Sequence, residues 1–274
     1  MERIWNRKST LLLYIAYIFI VVAIIWSHKV TGTKVLRFGE GTVVVNNLNL
    51  PWLMMSEVAL FLVTAILPTL YVDQLSGDLY SGAYRLYMLR PYRRFHFWLA
   101  KLLALSASTA IFMGTSLLIG VFAGWLFFPH SSTFFKYGSS VASSPSDAVP
   151  YILSFYLVLT LVCLVKLMLS SAVCLFMSRP LFAYIVILIL SVFLFELFRP
   201  LIMLMDPFQQ IMLALRVDSS FNFWMCAGGL ILVSIIISFT RWEKRLFRNK
   251  TCNLNIIKVK ERSNRPFEGQ LDLF

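Results

Sequence analysis

Six long apolar stretches are the feature of this sequence that most constrains its fold. At about 1.5 Å per helical residue, each is long enough to cross about 30 Å of hydrocarbon. In chain order they run Leu11–Trp26, Pro51–Val72, Trp98–Phe128, Tyr151–Met177, Leu181–Phe198 and Phe223–Thr240. Helices are the expected form, because open strands would leave backbone groups unpaired in lipid. The pattern predicts an all-α membrane protein with six transmembrane helices in residues 1–240 and a basic tail in residues 241–274.

The composition points to the same class of protein. Hydrophobic residues make up 59% of the chain and charged residues 14%, whereas a soluble domain carries about 25% charged residues. The formal net charge is +12. In a soluble protein that charge would suggest nucleic acid as a partner. In a chain this apolar it indicates orientation in the membrane and contact with lipid, so we expect no nucleic-acid partner.

The placement of the basic residues predicts that both termini lie in the cytoplasm. With the N-terminus inside, the inner segments hold most of the 25 Lys and Arg residues, above all the segment after the second stretch and the tail. The basic start before Leu11 is typical of a signal peptide as well. No small-x-small cleavage site follows Trp26, so we predict a retained first helix.

Two loops carry structure of their own in this prediction. Residues 28–50 contain Gly, Thr and Asn and are expected to form a short hairpin. Residues 199–222 are too apolar for a plain loop, and Pro200 and Pro207 interrupt them. We therefore predict a re-entrant segment at about 200–216, built of short helices that dip back into the membrane before the last span.

The sequence carries no recognisable catalytic or metal-binding pattern. It has no phosphate-binding Gly-x-x-x-x-Gly-Lys-Ser/Thr loop, so ATP hydrolysis by that route is not expected. The three histidines are scattered without a second ligand at metal spacing, and the four cysteines form no Cys-x-x-Cys pair. We predict no enzyme activity, no metal and no cofactor in this chain, and structural roles for the cysteines within the spans.

The segment between the second and third stretches has a distinctive order of residues. Leu79, Ala83 and Leu86 recur at helical spacing, and Pro91 ends the pattern, which predicts an amphipathic helix at about 76–91. One interpretation is a helix that lies among the lipid headgroups with its arginines on anionic lipid.

That order also resembles the permease subunits of bacterial type-2 ABC transporters. Their segment after the second helix reads acidic-x-x-x-Gly, then Leu-x-x-Pro-x-x-Arg, then Lys seven residues further on. Here Asp78 and Gly82 match the first part, and Pro91, Arg94 and Lys101 match the second. The acidic residue is Asp where the family usually has Glu. With the six spans, the resemblance extends over nearly the whole chain.

The resemblance implies a location and a set of partners. In that family the segment is a coupling helix that binds a separate ATP-binding subunit, and that subunit holds ATP and Mg. A second permease chain, identical or related, completes a path along the second and fifth helices in the bacterial cytoplasmic (inner) membrane. The residues expected to contact the ATP-binding subunit are Asp78, Gly82, Arg85, Pro91, Arg94 and Lys101.

Ionisable residues inside spans are costly and often functional. Glu57 and Glu196 lie near the outer ends of the second and fifth stretches. They either reach the interface or pair with a cation such as Arg199, or they line the path together with Phe61 and Phe195. Lys166 lies in the middle of the fourth stretch. We favour a structural role for it, with its ammonium either reaching the interface or paired with a carboxylate.

The function expected from the sequence is therefore that of an exporter subunit, with a peptide, a drug or another amphiphile as substrate. The alternative is a membrane scaffold or assembly factor that has the same fold and does not transport. A separate motif, Gly120-x-x-x-Gly124 in the third stretch, predicts close helix packing.

Overall fold

The structure, a computed structural model, describes residues 7–35, 42–80, 94–131, 133–136, 142–177, 179–197, 199–215 and 222–240. These residues are almost entirely helical. The longer helices are α1 (Lys8–Thr31), α2 (Leu50–Tyr80 in four consecutive pieces), α3 (Arg94–Phe127), α4 (Ala148–Phe176), α5 (Pro180–Leu197) and α7 (Asn222–Thr240). A 3-10 helix, Arg199–Leu204, and α6, Pro207–Leu215, lie between α5 and α7.

Five helices in the described part of the chain are long and apolar enough to cross a membrane: α1, α2, α3, α4 and α7. The fifth predicted span, Leu181–Phe198, corresponds to α5, Pro180–Leu197, whose 18 residues equal the predicted length. A 3-10 helix over Arg199–Leu204 follows it. That α5 crosses the membrane as a sixth span stays a prediction. The chain is a multi-pass helical membrane protein.

The helices α2 and α4 form the centre of the bundle. In each, 61% of the most apolar window is buried, against 28%, 33% and 22% in α1, α3 and α7. Large apolar side chains such as Phe19, Phe122 and Phe239 are exposed on those outer helices. In a bilayer these exposed side chains contact lipid tails, so hydrophobic exposure is the expected state of the outer surface.

The two ends of the bundle differ. Short antiparallel strands pair at one end, Thr33–Val35 with Thr42–Val44 and Phe134–Phe135 with Ala142–Ser143. We call this the hairpin end, and its first strand pair is the hairpin predicted for residues 28–50. The opposite end, where α1 begins, is here called the N-terminal end.

Helix α2 is irregular in its middle. Its pieces are Leu50–Leu53, Met55–Phe61, a π-helical turn at Leu62–Ile66 and Leu67–Tyr80. Pro68 lies directly beyond the π turn, and proline has no N–H to donate to the carbonyl four residues back. That carbonyl belongs to Thr64, and the Tyr184 hydroxyl of α5 donates to it at 3.4 Å. The proline and the π turn together explain the irregularity.

Close packing fixes α3 against the start of α2. A Cβ atom added at Gly124 would lie 2.8 Å from the carbonyl oxygen of Asn47. One added at Gly120 would lie 2.6 Å from the terminal carbon of Met54 and 3.2 Å from the Cα atom of Pro51. The predicted role of these two glycines in helix packing is confirmed.

Candidate functional site

Hydrogen bonds at the N-terminal end tie the start of α1 to the last turns of α2. The Ser9 hydroxyl donates to Asp73 Oδ2 at 3.0 Å, and Arg7 Nη1 lies 3.6 Å from the same oxygen. One residue further on, the Gln74 amide donates to the Thr10 hydroxyl at 3.2 Å, where both side chains are buried. We call this set of contacts the N-terminal clamp.

Two further bonds extend the clamp to the neighbouring helices. The Lys101 ammonium of α3 donates to the backbone carbonyl of Gln74 at 2.7 Å. The Ser76 hydroxyl donates to the carbonyl of Met177, just after α4, at 3.3 Å. The final turns of α2 are therefore held from three sides immediately before the chain continues into residues 81–93.

The residues predicted to contact an ATP-binding subunit flank or fall within that segment. Gly82, Arg85 and Pro91 lie outside the described residues. Asp78 belongs to the last turn of α2 and Arg94 opens α3, while their side chains lie outside the described set. Lys101 is the one whose side chain is described, and its ammonium binds the clamp. Its contact with a partner subunit stays a prediction.

One face of α2 is exposed although the helix is central. Leu60 and Phe61 are 38% and 47% exposed, and Glu57 and Thr69 are exposed as well. The hydroxyls of Thr64 and Thr69 each donate at 2.6 Å to the carbonyl four residues earlier. We call Glu57, Leu60, Phe61, Thr64 and Thr69 the α2 stripe. It includes a carboxylate, which the sequences of α1 and α3 lack.

Helix α5 packs beside α2 and also has an exposed face. Ala183, Ile187 and Ser191 point into the bundle, and Glu196 is exposed near the hairpin end of the helix. The exposed apolar side chains of α5 are Leu181, Phe182, Ile185, Ile189, Val192 and Phe193. The side chain of Phe195, also predicted to line the path, lies outside the described residues.

Lys166 is completely buried in α4, with 0% of its surface exposed. Its ammonium donates to the Ser191 hydroxyl of α5 at 2.5 Å and to the carbonyl of Leu204 at 3.1 Å. Among the described residues, no carboxylate oxygen lies within 4.0 Å of it. The sequence predicted interfacial reach or an acidic partner for Lys166, and the partners found are neutral groups from two other elements.

Some of these contacts could not be read from the sequence. Arg7, Asp73 and Gln74 carry no family pattern, and a backbone acceptor such as the Leu204 carbonyl has no sequence signal. Pro68 was the visible sign of an irregular α2, because an internal proline always leaves a carbonyl without its usual donor.

The described side chains include no group of three or more His, Cys, Asp or Glu that could hold a metal ion. No protein-family model matches the sequence, and a search of curated proteins gives no significant match.

Proposed function

We propose that this chain is the membrane-spanning permease subunit of an ATP-driven exporter of the type-2 ABC class. In this proposal α5 completes a set of six spans, and the N-terminal end faces the cytoplasm. Two copies, or this chain and a related one, form a path, and separate ATP-binding subunits contact residues 78–101 from the cytoplasm. ATP and Mg are bound by those subunits.

The observation that carries the proposal is the two-sided character of α2. Most of this helix is core, yet the α2 stripe is exposed and includes Glu57. A carboxylate facing lipid tails is unfavourable, so this face favours contact with another protein or with an aqueous path. The exposed face of α5, with Glu196, adjoins α2 and extends the same surface.

The N-terminal clamp supports coupling between the predicted contact segment and the path. Coupling between sites travels through packed side chains, hydrogen bonds and rigid helices. Here the same helix carries the clamp at one end and the stripe along its length. A displacement of residues 81–93 would therefore act on α2 and α3, the two helices that the segment joins.

The test is reconstitution of the chain in lipid nanodiscs with candidate phosphate-loop ATPase subunits of the ABC class from the source organism. We expect a stable complex whose ATPase activity falls at least tenfold in the Arg85→Glu, Arg94→Glu double variant. Arg179→Glu is the matched control, because Arg179 is exposed at the same end but outside the predicted segment. Full ATPase activity and complex formation in the double variant would reject the coupling assignment.

The scaffold alternative is tested with the same complex reconstituted in sealed vesicles, where export of a dye can be measured. An exporter requires the α2 stripe, so Glu57→Gln should reduce export of an amphiphilic fluorescent dye at unchanged protein level. A scaffold would form the complex and leave dye export at the level of vesicles without protein. Leu118→Gln, on the exposed face of α3, is the control for a polar change outside the stripe.

A further inference from the structure

The buried ammonium of Lys166 joins three elements that are far apart in the chain. It belongs to α4, its hydroxyl partner Ser191 belongs to α5, and its carbonyl partner Leu204 ends the 3-10 helix. The Ser191 hydroxyl donates its own hydrogen bond to the carbonyl of Ile187 at 2.7 Å, so its oxygen can accept from the ammonium. The donor and acceptor roles are therefore consistent along the whole chain of bonds.

The position of Leu204 shows how far the chain has turned back. Ser191 lies six residues before the end of α5, or about 9 Å along the helix axis. Leu204 follows that end, yet its carbonyl meets the same ammonium as Ser191. The segment between Arg199 and Leu204 has thus returned to the depth of Ser191.

Apolar contacts already hold the returning segment. Met203 and Leu204 are fully buried, and the ring of Phe208 stacks on Trp52 with 8° between their planes. Such contacts tolerate sliding, because apolar surfaces have no directional preference. A hydrogen bond from a charged donor to one carbonyl has direction, and the last carbonyl of a helical turn carries partial negative charge.

We propose that Lys166 is a charge lock that fixes the register of the re-entrant segment against α4 and α5. The ammonium selects the Leu204 carbonyl and the Ser191 hydroxyl, and so sets the depth to which residues 199–215 enter the bundle. The lock supplies specificity more than stability, since a buried charge with neutral partners carries a large desolvation cost. It does not depend on the proposed export function.

The test compares hydrogen–deuterium exchange in the purified wild-type protein and in the full-length variant Lys166→Met. The methionine side chain is similar in length to that of lysine, but it has neither the positive charge nor the N–H donors of the ammonium. We expect exchange in residues 199–215 to rise at least tenfold while the melting temperature stays equal or increases. Cys163 is a built-in reporter, because it lies one helical turn before Lys166 and is fully buried. Its labelling by a small maleimide should rise in parallel.

Ser108→Ala is the control, because that buried hydroxyl bonds only to Ala104 of its own helix at 2.9 Å. It should leave exchange in residues 199–215 unchanged. Wild-type exchange and Cys163 labelling in Lys166→Met would overturn the lock. If Lys166→Met does not fold, Ser191→Ala decides: faster exchange confined to residues 180–215 supports the lock, and wild-type exchange there rejects it.

Discussion

The hydroxyl of Tyr184 lies 3.4 Å from the carbonyl oxygen of Thr64, the acceptor that Pro68 leaves without an N–H donor four residues on. A side chain of α5 thereby compensates for a proline in α2. The contact lies beside the π turn at Leu62–Ile66, where α2 departs from regular geometry. The irregular middle of α2 is therefore stabilised from the neighbouring helix, and α2 and α5 are linked at the point where α2 bends most readily.

This contact predicts a coupled pair of substitutions. Tyr184→Phe should lower the free energy of unfolding by about 1 kcal/mol, because a carbonyl loses a donor. In a Pro68→Ala background the N–H of residue 68 can bind Thr64, so the same change should have little effect. Unfolding in mixed micelles measures both values. Equal losses in the two backgrounds would show that the hydroxyl does not serve this carbonyl.

Substitution by alanine should have opposite effects on stability at two glycines of α3, Gly124 and Gly114. Gly124→Ala places a methyl group 2.8 Å from the Asn47 carbonyl oxygen, so it should destabilise the protein by about 1–3 kcal/mol. Gly114→Ala meets nothing within 4 Å and should be neutral or stabilising by up to about 1 kcal/mol. Thermal stability followed by fluorescence-detected size exclusion distinguishes them. A tolerated alanine at 124 would contradict the close contact with Asn47.

The contacts of the N-terminal clamp predict that its two cations, Arg7 and Lys101, contribute unequally to stability. The Arg7–Asp73 pair is partly exposed, with side chains 27% and 38% accessible. Arg7→Ala should therefore cost less than about 1 kcal/mol, and added salt should reduce that cost further. Lys101→Met should cost about 1.5–3 kcal/mol, because it removes a charged donor from the Gln74 carbonyl. Denaturation at low and high salt tests the order, and a larger effect at Arg7 would reverse it.

The cysteines predict an order of chemical reactivity. Cys163 and Cys174 are buried at 0% and 1% exposure, while Cys226 of α7 is partly exposed. Among these three described cysteines, a small membrane-permeant maleimide should therefore label Cys226 first, since burial limits access to the thiol. Mass spectrometry of the peptides that carry them gives their rates after timed labelling, and a denatured sample shows that each of them can react. Equally fast labelling of Cys163 would argue against the packing around α4.

Much of the fold could be predicted from the sequence, because long apolar stretches leave a chain in lipid few choices. The first hairpin, the two short helices before α7 and the packing role of Gly120 and Gly124 were all visible as local patterns. The bounds of α5 also agree with the predicted stretch to within one residue at each end. The contact of Leu204 with Lys166 of α4 could not be predicted, because the two residues are remote in sequence.

The candidate site was less readable for the same reason. Lys166 stood out as a charge within a span, but its acceptors are a serine of another helix and a backbone carbonyl. Any residue could have supplied the backbone carbonyl, so the sequence gives no hint of that pairing. Lys101 was marked by family resemblance alone, and the bond to Gln74 adds an intramolecular role that no motif describes.

The buried cation of Lys166 also has an electrical consequence. It lies ten residues from the end of α4 at Phe176, or about 15 Å along the axis, inside the apolar stretch that we expect to cross the membrane. A unit charge that crosses the whole membrane potential changes its energy by about 2.3 kcal/mol per 100 mV. Any shift of α4 along the membrane normal would therefore change the electrostatic energy of this charge in the membrane potential. The potential would favour one depth of α4, and with it the positions of the groups that bind the Lys166 ammonium.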